Sequence, residues 1–111
     1  MADAALNPKH AAGAARPNYR HVPASGLYAV GKVMDLGASK YGPFNWRSTG
    51  LCLQTYIDAI RRHTDALAGG QDIDPESGES HMAHVAACAL LVLDCIDRGN
   101  LVDDRPTILP A

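Results

Sequence analysis

Two segments whose apolar residues recur every three or four positions constrain the fold of this chain more than any other feature. One segment covers residues 51–68 and ends at a pair of glycines, and the other begins at Glu79 or Ser80 and ends at Arg98. Because this spacing places the apolar side chains on one face of a helix, each segment is predicted to be an amphipathic α-helix.

A third helix is predicted nearer the N-terminus, with Ser25 as its N-cap and its end at about Ser39. Its apolar side consists of Leu27, Val30, Val33, Met34 and Leu36. No segment alternates apolar and polar residues for long enough to predict a strand. The sequence therefore predicts an all-α fold, a small bundle of about three main helices.

Proline-rich segments flank the predicted helices. Residues 1–24 and 101–111 are interrupted by prolines and are expected to be extended arms around a helical domain at 25–100. A chain of 111 residues forms one domain with a modest core, which association with further copies would stabilise. We therefore expect a homo-oligomer, with the N-terminal arm able to grip a neighbouring subunit.

The overall charge and the cysteine content limit the function classes. The formal net charge is −2, so a broad basic surface for a large nucleic acid is not expected, although a few cations in one pocket would suffice for a small anion. Three cysteines without a CxxC pair fit a reducing compartment. With no leader and no apolar run of membrane-spanning length, the sequence predicts a soluble, cytoplasmic protein that does not enter a membrane.

The segment from Lys40 to Arg47 holds half of the six aromatic residues, together with two cations and a Gly-Pro break. Aromatic faces stack on bases, and Lys and Arg bind phosphate. A nucleotide-binding loop is one interpretation of this segment. The other is structural, with Phe44 and Trp46 closing the end of a helical bundle and Arg47 in solvent.

A second group of polar residues lies between and on the two long helices. Asp72, Asp74 and Glu76 alternate in the connecting loop, but a calcium loop is disfavoured because the twelfth position counted from Asp72 is Ala83 instead of glutamate. An acidic turn is the plain interpretation.

The histidines make this region a candidate site. His81 and His84 are three positions apart and share a helical face, and an antiparallel helix pair would bring His63 across to them. Neutral imidazoles could ligate a transition metal, whereas protonated ones would attract phosphate. Both alternatives stay open at this stage.

An ordered set of motifs resembles a family of small, largely phage-encoded proteins, the dATP/dGTP diphosphohydrolases (MazZ-like), related to the MazG-like all-α pyrophosphohydrolases. The motifs are Lys40-Tyr41-Gly42, Asn45-Trp46-Arg47, Asp58-Ala59-x-x-Arg62-His63, Asp72-x-Asp74-Pro75-Glu76-Ser77-Gly78 and His81-x-x-His84. The resemblance implies an oligomeric helical enzyme of the phage-infected host cytosol, which releases pyrophosphate from a purine deoxynucleoside triphosphate. It also implies Mg²⁺, held by Glu-x-x-Glu and Glu-x-x-Asp pairs on two neighbouring helices.

The chain departs from that pattern where the metal would bind. The second helix has no Glu-x-x-Glu pair, and His81-x-x-His84 stands where Glu-x-x-Asp is expected. The expected cofactor is therefore a divalent metal, Mg²⁺ or Mn²⁺ with Zn²⁺ as an alternative. Its carboxylates would come from Asp58, Asp65, Asp74 and Glu76, unless there is no catalytic metal at all.

These observations assign each candidate residue a role. The expected catalytic residues are Asp74, Glu76 and His63, and the expected metal ligands are His81, His84 and Asp74. The expected substrate-binding residues are Lys40, Tyr41, Asn45, Trp46, Arg47 and Arg62. The leading prediction is a nucleoside triphosphate diphosphohydrolase. A non-catalytic phage sponge that sequesters a nucleotide immune signal is the alternative, and a purely structural oligomer would leave the motifs without a purpose.

Overall fold

Three long helices form the body of the chain, of which the computed structural model describes residues 7–106. In chain order the elements are α1 (Pro8–Ala14), a short 3₁₀ helix (Tyr19–His21), α2 (Ala24–Tyr41), α3 (Asn45–Thr49), β1 (Leu51–Cys52), α4 (Leu53–Ala68), α5 (His81–Arg98) and β2 (Leu101–Val102). Helix α5 packs against both α4 and α2. The predicted all-α fold is confirmed, and no helix of residues 7–106 is long and apolar enough to cross a membrane.

The ends of the long helices differ by a few residues from those predicted. Helix α2 begins two residues earlier than expected, with Pro23 instead of Ser25 at the N-cap position. Helix α5 begins as predicted after Ser80, whose hydroxyl accepts hydrogen bonds from the backbone N–H groups of Met82 and Ala83. Such a cap satisfies donors that have no partner inside the helix.

A two-residue parallel pairing between β1 and β2 displaces the start of α4 from Leu51 to Leu53. Alternation cannot signal a strand this short, which is why the sequence did not predict it. Gly50 precedes β1 with a φ of 74°, and a Cβ atom there would lie 2.5 Å from the carbonyl oxygen of Asn100. The close approach of the two chain segments therefore requires glycine at this position.

The N-terminal arm is less extended than predicted because it contains α1. The Asn7 side chain caps this helix by accepting a hydrogen bond from the Lys9 backbone N–H at 2.9 Å, and Pro8 occupies the first turn. At the other end of the chain, Asp104 accepts a hydrogen bond from the backbone N–H of Gln54 at 2.8 Å and so caps α4. The parts of the predicted arms at 1–6 and 107–111 lie outside the described residues.

The core of the described chain is small and consists mainly of small side chains. Its buried apolar members are Val30, Leu51, Ala83, Ala87 and Cys95. Alanines on the inner face of α5 allow its neighbours to approach closely. One polar side chain, His81, is also buried, with an exposed fraction of only 4%. A histidine buried this completely needs partners for its ring nitrogens, and these partners lead to the candidate site.

Candidate functional site

A cleft of about 450 Å³ opens where α4 ends and α5 begins. Helices α4 and α5 run antiparallel, because β1 at the start of α4 pairs with β2 after α5 while His63 near the end of α4 meets His81. Eight of the eleven predicted site residues line this cleft, namely Lys40, Tyr41, Arg62, His63, Asp74, Glu76, His81 and His84. Asn45, Trp46 and Arg47 do not line it.

Three imidazoles and one carboxylate converge at the base of the cleft. Nδ1 of His63 lies 2.8 Å from Nδ1 of His81, and the ring of His63 stacks on that of His84 with centroids 4.5 Å apart. Oδ2 of Asp74 lies 3.9 Å from Nδ1 of His63 and 3.9 Å from Nε2 of His84. The spacing of His81 and His84 and the antiparallel helix pair together bring about this convergence.

The loop between α4 and α5 fixes the carboxylate of Asp74. Its Oδ1 accepts a hydrogen bond from the backbone N–H of Glu76 at 2.9 Å, and its carbonyl accepts one from Gly78 at 2.7 Å. The backbone N–H of Asp74 donates to the carbonyl of Glu79 at 2.8 Å. With Oδ1 occupied by the backbone, Oδ2 is the oxygen that faces the histidines.

Gln71 and Ser77 hold the histidine rings and were not among the predicted site residues. Oε1 of Gln71 lies 2.7 Å from Nε2 of His81, and Oγ of Ser77 lies 2.7 Å from Nε2 of His84. Ser77 also accepts a hydrogen bond from the backbone N–H of Glu79 at 3.1 Å. Both residues lie in the loop between two histidine-bearing helices, and this position could have identified them in the sequence. Buried imidazoles take hydrogen-bond partners from the nearest polar side chains.

The surroundings of His63 favour its neutral form. Burial lowers the pKa of its imidazole, and the neighbouring His84 lowers the pKa further, while the carboxylate of Asp74 acts in the opposite direction. A neutral imidazole has a lone pair that can accept a proton or bind a metal ion.

The donor atoms of the cluster do not fit the Mg²⁺ site that the resemblance implies. Mg²⁺ prefers six oxygen ligands in an octahedron, usually carboxylates, phosphates and water. Here the atoms that come together are two imidazole nitrogens and one carboxylate oxygen, from His63, His81 and Asp74, all within 4.8 Å of one another. His63, which was predicted to be catalytic, contributes to this set, whereas His84, a predicted metal ligand, does not.

Trp46 and Arg47 are attached to α5 at Asp94, ten residues beyond His84 along the chain. Nε1 of Trp46 donates to Oδ2 of Asp94 at 2.7 Å, and the guanidinium of Arg47 donates to both oxygens of Asp94 at 3.1 and 3.3 Å. These hydrogen bonds lower the pKa of Asp94, and the one from Arg47 has a larger effect than the one from Trp46. The guanidinium of Arg47 also lies 4.7 Å above the ring of Phe44.

An apolar recess of about 190 Å³ adjoins the cleft. It shares Tyr41 and His84 with the cleft, and Asn45, Trp46 and Tyr56 also line it. The ring of Trp46 therefore borders this recess although its N–H group is bound to Asp94. Together the two cavities provide a cationic, histidine-rich end and an aromatic, apolar end.

Two comparisons with known proteins agree on one family. A family model described as "dATP/dGTP diphosphohydrolase, N-terminal" matches residues 6–105. A protein of Salmonella phage PMBT28 named dATP/dGTP diphosphohydrolase is 34% identical over 76 residues, which cover 68% of this chain and 26% of that protein. The chain thus matches about a quarter of the length of this relative. No solved structure matches the chain.

Proposed function

We propose that this chain, which belongs to the dATP/dGTP diphosphohydrolase N-terminal family, binds a purine deoxynucleoside triphosphate and hydrolyses it to the monophosphate and pyrophosphate. The observation that carries the proposal is the junction of two cavities. A cleft with cations, imidazoles and a carboxylate meets an apolar recess bordered by aromatic rings. A triphosphate joined to a purine base has the same division into an anionic and an apolar part.

The phosphate end of the proposed site has two cations without ionic partners. Lys40 and Arg62 line the cleft, and neither forms a salt bridge with another residue of 7–106. Arg47, in contrast, is paired with Asp94. Lys40 and Arg62 are therefore the residues expected to bind the phosphates, Arg62 through its planar fork and Lys40 as a compact charge.

The base end of the proposed site is the apolar recess. Tyr41 stands at the boundary between the two cavities, while Trp46 and Tyr56 border the recess itself. Aromatic side chains provide faces on which a purine can stack, and Asn45 provides an amide that can hydrogen-bond to the edge of the base.

The proposed reaction begins with a water molecule beside His63 and Asp74. A carboxylate of the cleft, Glu76 or Asp74, accepts a proton from this water, and the ring of His63, whose Nδ1 lies 3.9 Å from Oδ2 of Asp74, orients the water. The oxygen then attacks the α-phosphorus and pyrophosphate leaves on the opposite side, where Lys40 and Arg62 offset its charge. Glu76, which also lines the cleft, is available to the same water.

Incubation of the tag-free protein with each of the four deoxynucleoside triphosphates tests this proposal. Parallel reactions contain Mg²⁺, Mn²⁺ or Zn²⁺, and anion-exchange chromatography measures the products. We expect dATP and dGTP to give equal amounts of monophosphate and pyrophosphate, with much slower loss of the pyrimidine nucleotides. Release of inorganic phosphate alone, or no turnover with any metal, would contradict the proposal.

The absence of a Glu-x-x-Glu pair on α4 favours a second candidate function. Asp74 is the carboxylate in contact with the imidazoles, and no Glu-x-x-Glu pair accompanies it on α4. A protein that sequesters a nucleotide needs the cations and aromatic faces but no attacking water. In that case nucleotide would bind tightly and be recovered intact after heat denaturation of the protein.

A further inference from the structure

Three donor atoms at the base of the cleft form a ligand set of a different kind from the magnesium sites that the family resemblance implies. We infer that Nδ1 of His63, Nδ1 of His81 and Oδ2 of Asp74 bind a divalent transition-metal ion of the Zn²⁺ class in preference to Mg²⁺. These atoms all lie within 4.8 Å of one another. Imidazole and carboxylate ligands in this proportion suit Zn²⁺ and its neighbours in the first transition row.

Gln71 determines which nitrogen of His81 faces the site. A carbonyl oxygen can only accept a hydrogen bond, so the 2.7 Å contact with Oε1 of Gln71 requires the proton of His81 to be on Nε2. Nδ1 of the neutral ring is then unprotonated, and its lone pair is directed at His63. A ring held by an amide or carboxylate through one nitrogen while the other is free is the usual arrangement of a metal-binding histidine.

The contact between the two Nδ1 atoms has room for one proton or one cation. At the 2.8 Å between Nδ1 of His63 and Nδ1 of His81, two N–H groups would repel each other, and so would two lone pairs. In the metal-free protein a single hydrogen on His63 therefore bridges the rings. A metal ion takes the place of that hydrogen, since His63 can carry its proton on Nε2 instead.

Zinc binding requires side-chain movements of at most about 1.4 Å, because the third pair, His81 and Asp74, lies within 4.8 Å. Zinc bonds of about 2.1 Å in a tetrahedron place neighbouring ligand atoms about 3.4 Å apart. The His63–His81 separation of 2.8 Å must widen, and the His63–Asp74 separation of 3.9 Å must shorten, each by about half an ångström. Because the backbone holds Asp74 through its Oδ1, rotation of the imidazoles is the expected adjustment.

His84 is placed beside the metal ligands and not among them. Oγ of Ser77 accepts a hydrogen bond from the Glu79 backbone, so its own hydrogen is directed at Nε2 of His84. That interaction occupies the lone pair of His84, whose ring stacks on His63 with an angle of 5° between their planes. Three protein ligands leave a coordination position open toward the cleft, as catalytic zinc sites do.

Titration calorimetry on the chelator-treated, tag-free full chain tests the inference with ZnCl₂ and MgCl₂ in the absence of nucleotide. A Cys52→Ser background removes an exposed thiol that could bind zinc independently. We expect one Zn²⁺ per chain and an affinity for Zn²⁺ at least about 100-fold higher than that for Mg²⁺.

Variants identify the ligands. His63→Gln and Asp74→Asn are expected to weaken Zn²⁺ binding by about 100-fold or more, and Gln71→Ala by about 10-fold to 100-fold, because Gln71 orients His81. His10→Gln and His21→Gln, which alter histidines outside the cleft, leave the affinity unchanged. Circular dichroism verifies that each variant is folded, and His63 and Asp74 are preferred as tests because His81 is buried.

Several results would overturn the inference. Zn²⁺ binding no tighter than Mg²⁺ binding, or binding that survives both His63→Gln and Asp74→Asn, would show that these atoms are not the ligands. Metal-independent binding of inorganic pyrophosphate that requires the histidines would instead identify a phosphate clamp. The titrations contain no nucleotide, so their result does not depend on the proposed hydrolysis. Only the role of the metal in catalysis rests on the proposed function.

Discussion

At the scale of single residues, the roles in the cleft follow from which polar atoms already have partners. Nε2 of His81 is bound by Gln71, Nε2 of His84 by Ser77, and Oδ1 of Asp74 by the loop backbone. The spacing in the sequence was sufficient to predict that these side chains meet. It was not sufficient to predict which nitrogen or oxygen remains available, because that depends on loop contacts that have no periodic pattern.

Arg62 and Arg61 form a matched pair of adjacent, exposed arginines on α4. Only Arg62 lines the cleft. Arg62→Ala should weaken nucleoside triphosphate binding by roughly 1.5–3 kcal/mol, the usual contribution of a hydrogen bond to a charged group. Arg61→Ala should have almost no effect. Calorimetry with dATP measures both, and equal losses in the two variants would indicate a general charge effect instead of a phosphate contact.

Trp46 has a ring that borders the recess and an N–H group that binds Asp94. Trp46→Ala should weaken nucleotide binding by roughly 1–3 kcal/mol through loss of a stacking surface. Trp46→Phe retains an aromatic face and should retain most of the affinity while lowering the melting temperature. If Trp46→Ala unfolds the protein, or remains folded with unchanged affinity, the ring is structural and does not contact the base.

At the scale of elements, the short helix α3 is anchored to α5 by interactions that the sequence did not reveal. Trp46 and Arg47 bind Asp94, which is 48 and 47 residues away along the chain. Asn100 adds hydrogen bonds from its side-chain amide to the backbone carbonyls of Trp46 and Arg47. Hydrophobic periodicity predicted α4 and α5 as helices, but a polar anchor between distant residues carries no periodic signal.

The anchor makes stability depend on pH in a defined window. Arg47 and Trp46 lower the pKa of Asp94 below its ordinary value of 3.8, so the folded state binds a proton at Asp94 less readily than the unfolded state. The contribution to stability is therefore complete well above pH 3.8 and is lost as the pH falls through the lowered pKa. Thermal melts of wild type and Asp94→Asn should differ at pH 6, and the difference should shrink as the pH falls below 3.8. A difference that persists unchanged into acid would contradict this account.

The β1–β2 pairing predicts a specific cost of substitution at Gly50. Gly50 and Gly42 both have positive φ, 74° and 89°, but only at Gly50 would a Cβ meet another backbone segment. Gly42→Ala should destabilise the protein by roughly 1–3 kcal/mol through backbone strain alone. Gly50→Ala should cost clearly more, because Asn100 must also move. Urea unfolding measures both values, and equal costs would mean that the two strands separate easily.

At the scale of the whole molecule, large apolar side chains remain exposed around α2 and α5. Leu27, Leu90, Leu93 and Ile96 each expose between 45% and 60% of their surface, while few large side chains are buried. The oligomer predicted from the sequence stays a prediction, and these residues define the face expected to associate.

Light scattering measures the association directly. We expect at least a dimer at micromolar concentration, and Leu93→Asp should shift the protein toward the monomer by placing a charge on the apolar face. The same substitution at exposed Thr55, on α4, is the control. A wild-type protein that is monomeric at micromolar concentration would exclude this assembly.

The capping of α4 by Asp104 places the last described residues beside the start of that helix. Residues 101–104 lie beside the first turn of α4, whereas the cleft is formed near His63, roughly 15 Å further along that helix. A fluorophore or surface-immobilisation linker attached at Pro106 would therefore start from the end of α4 that is remote from the histidines. Tethering there is thus suited to single-molecule or biosensor measurements of metal exchange at the histidine cluster.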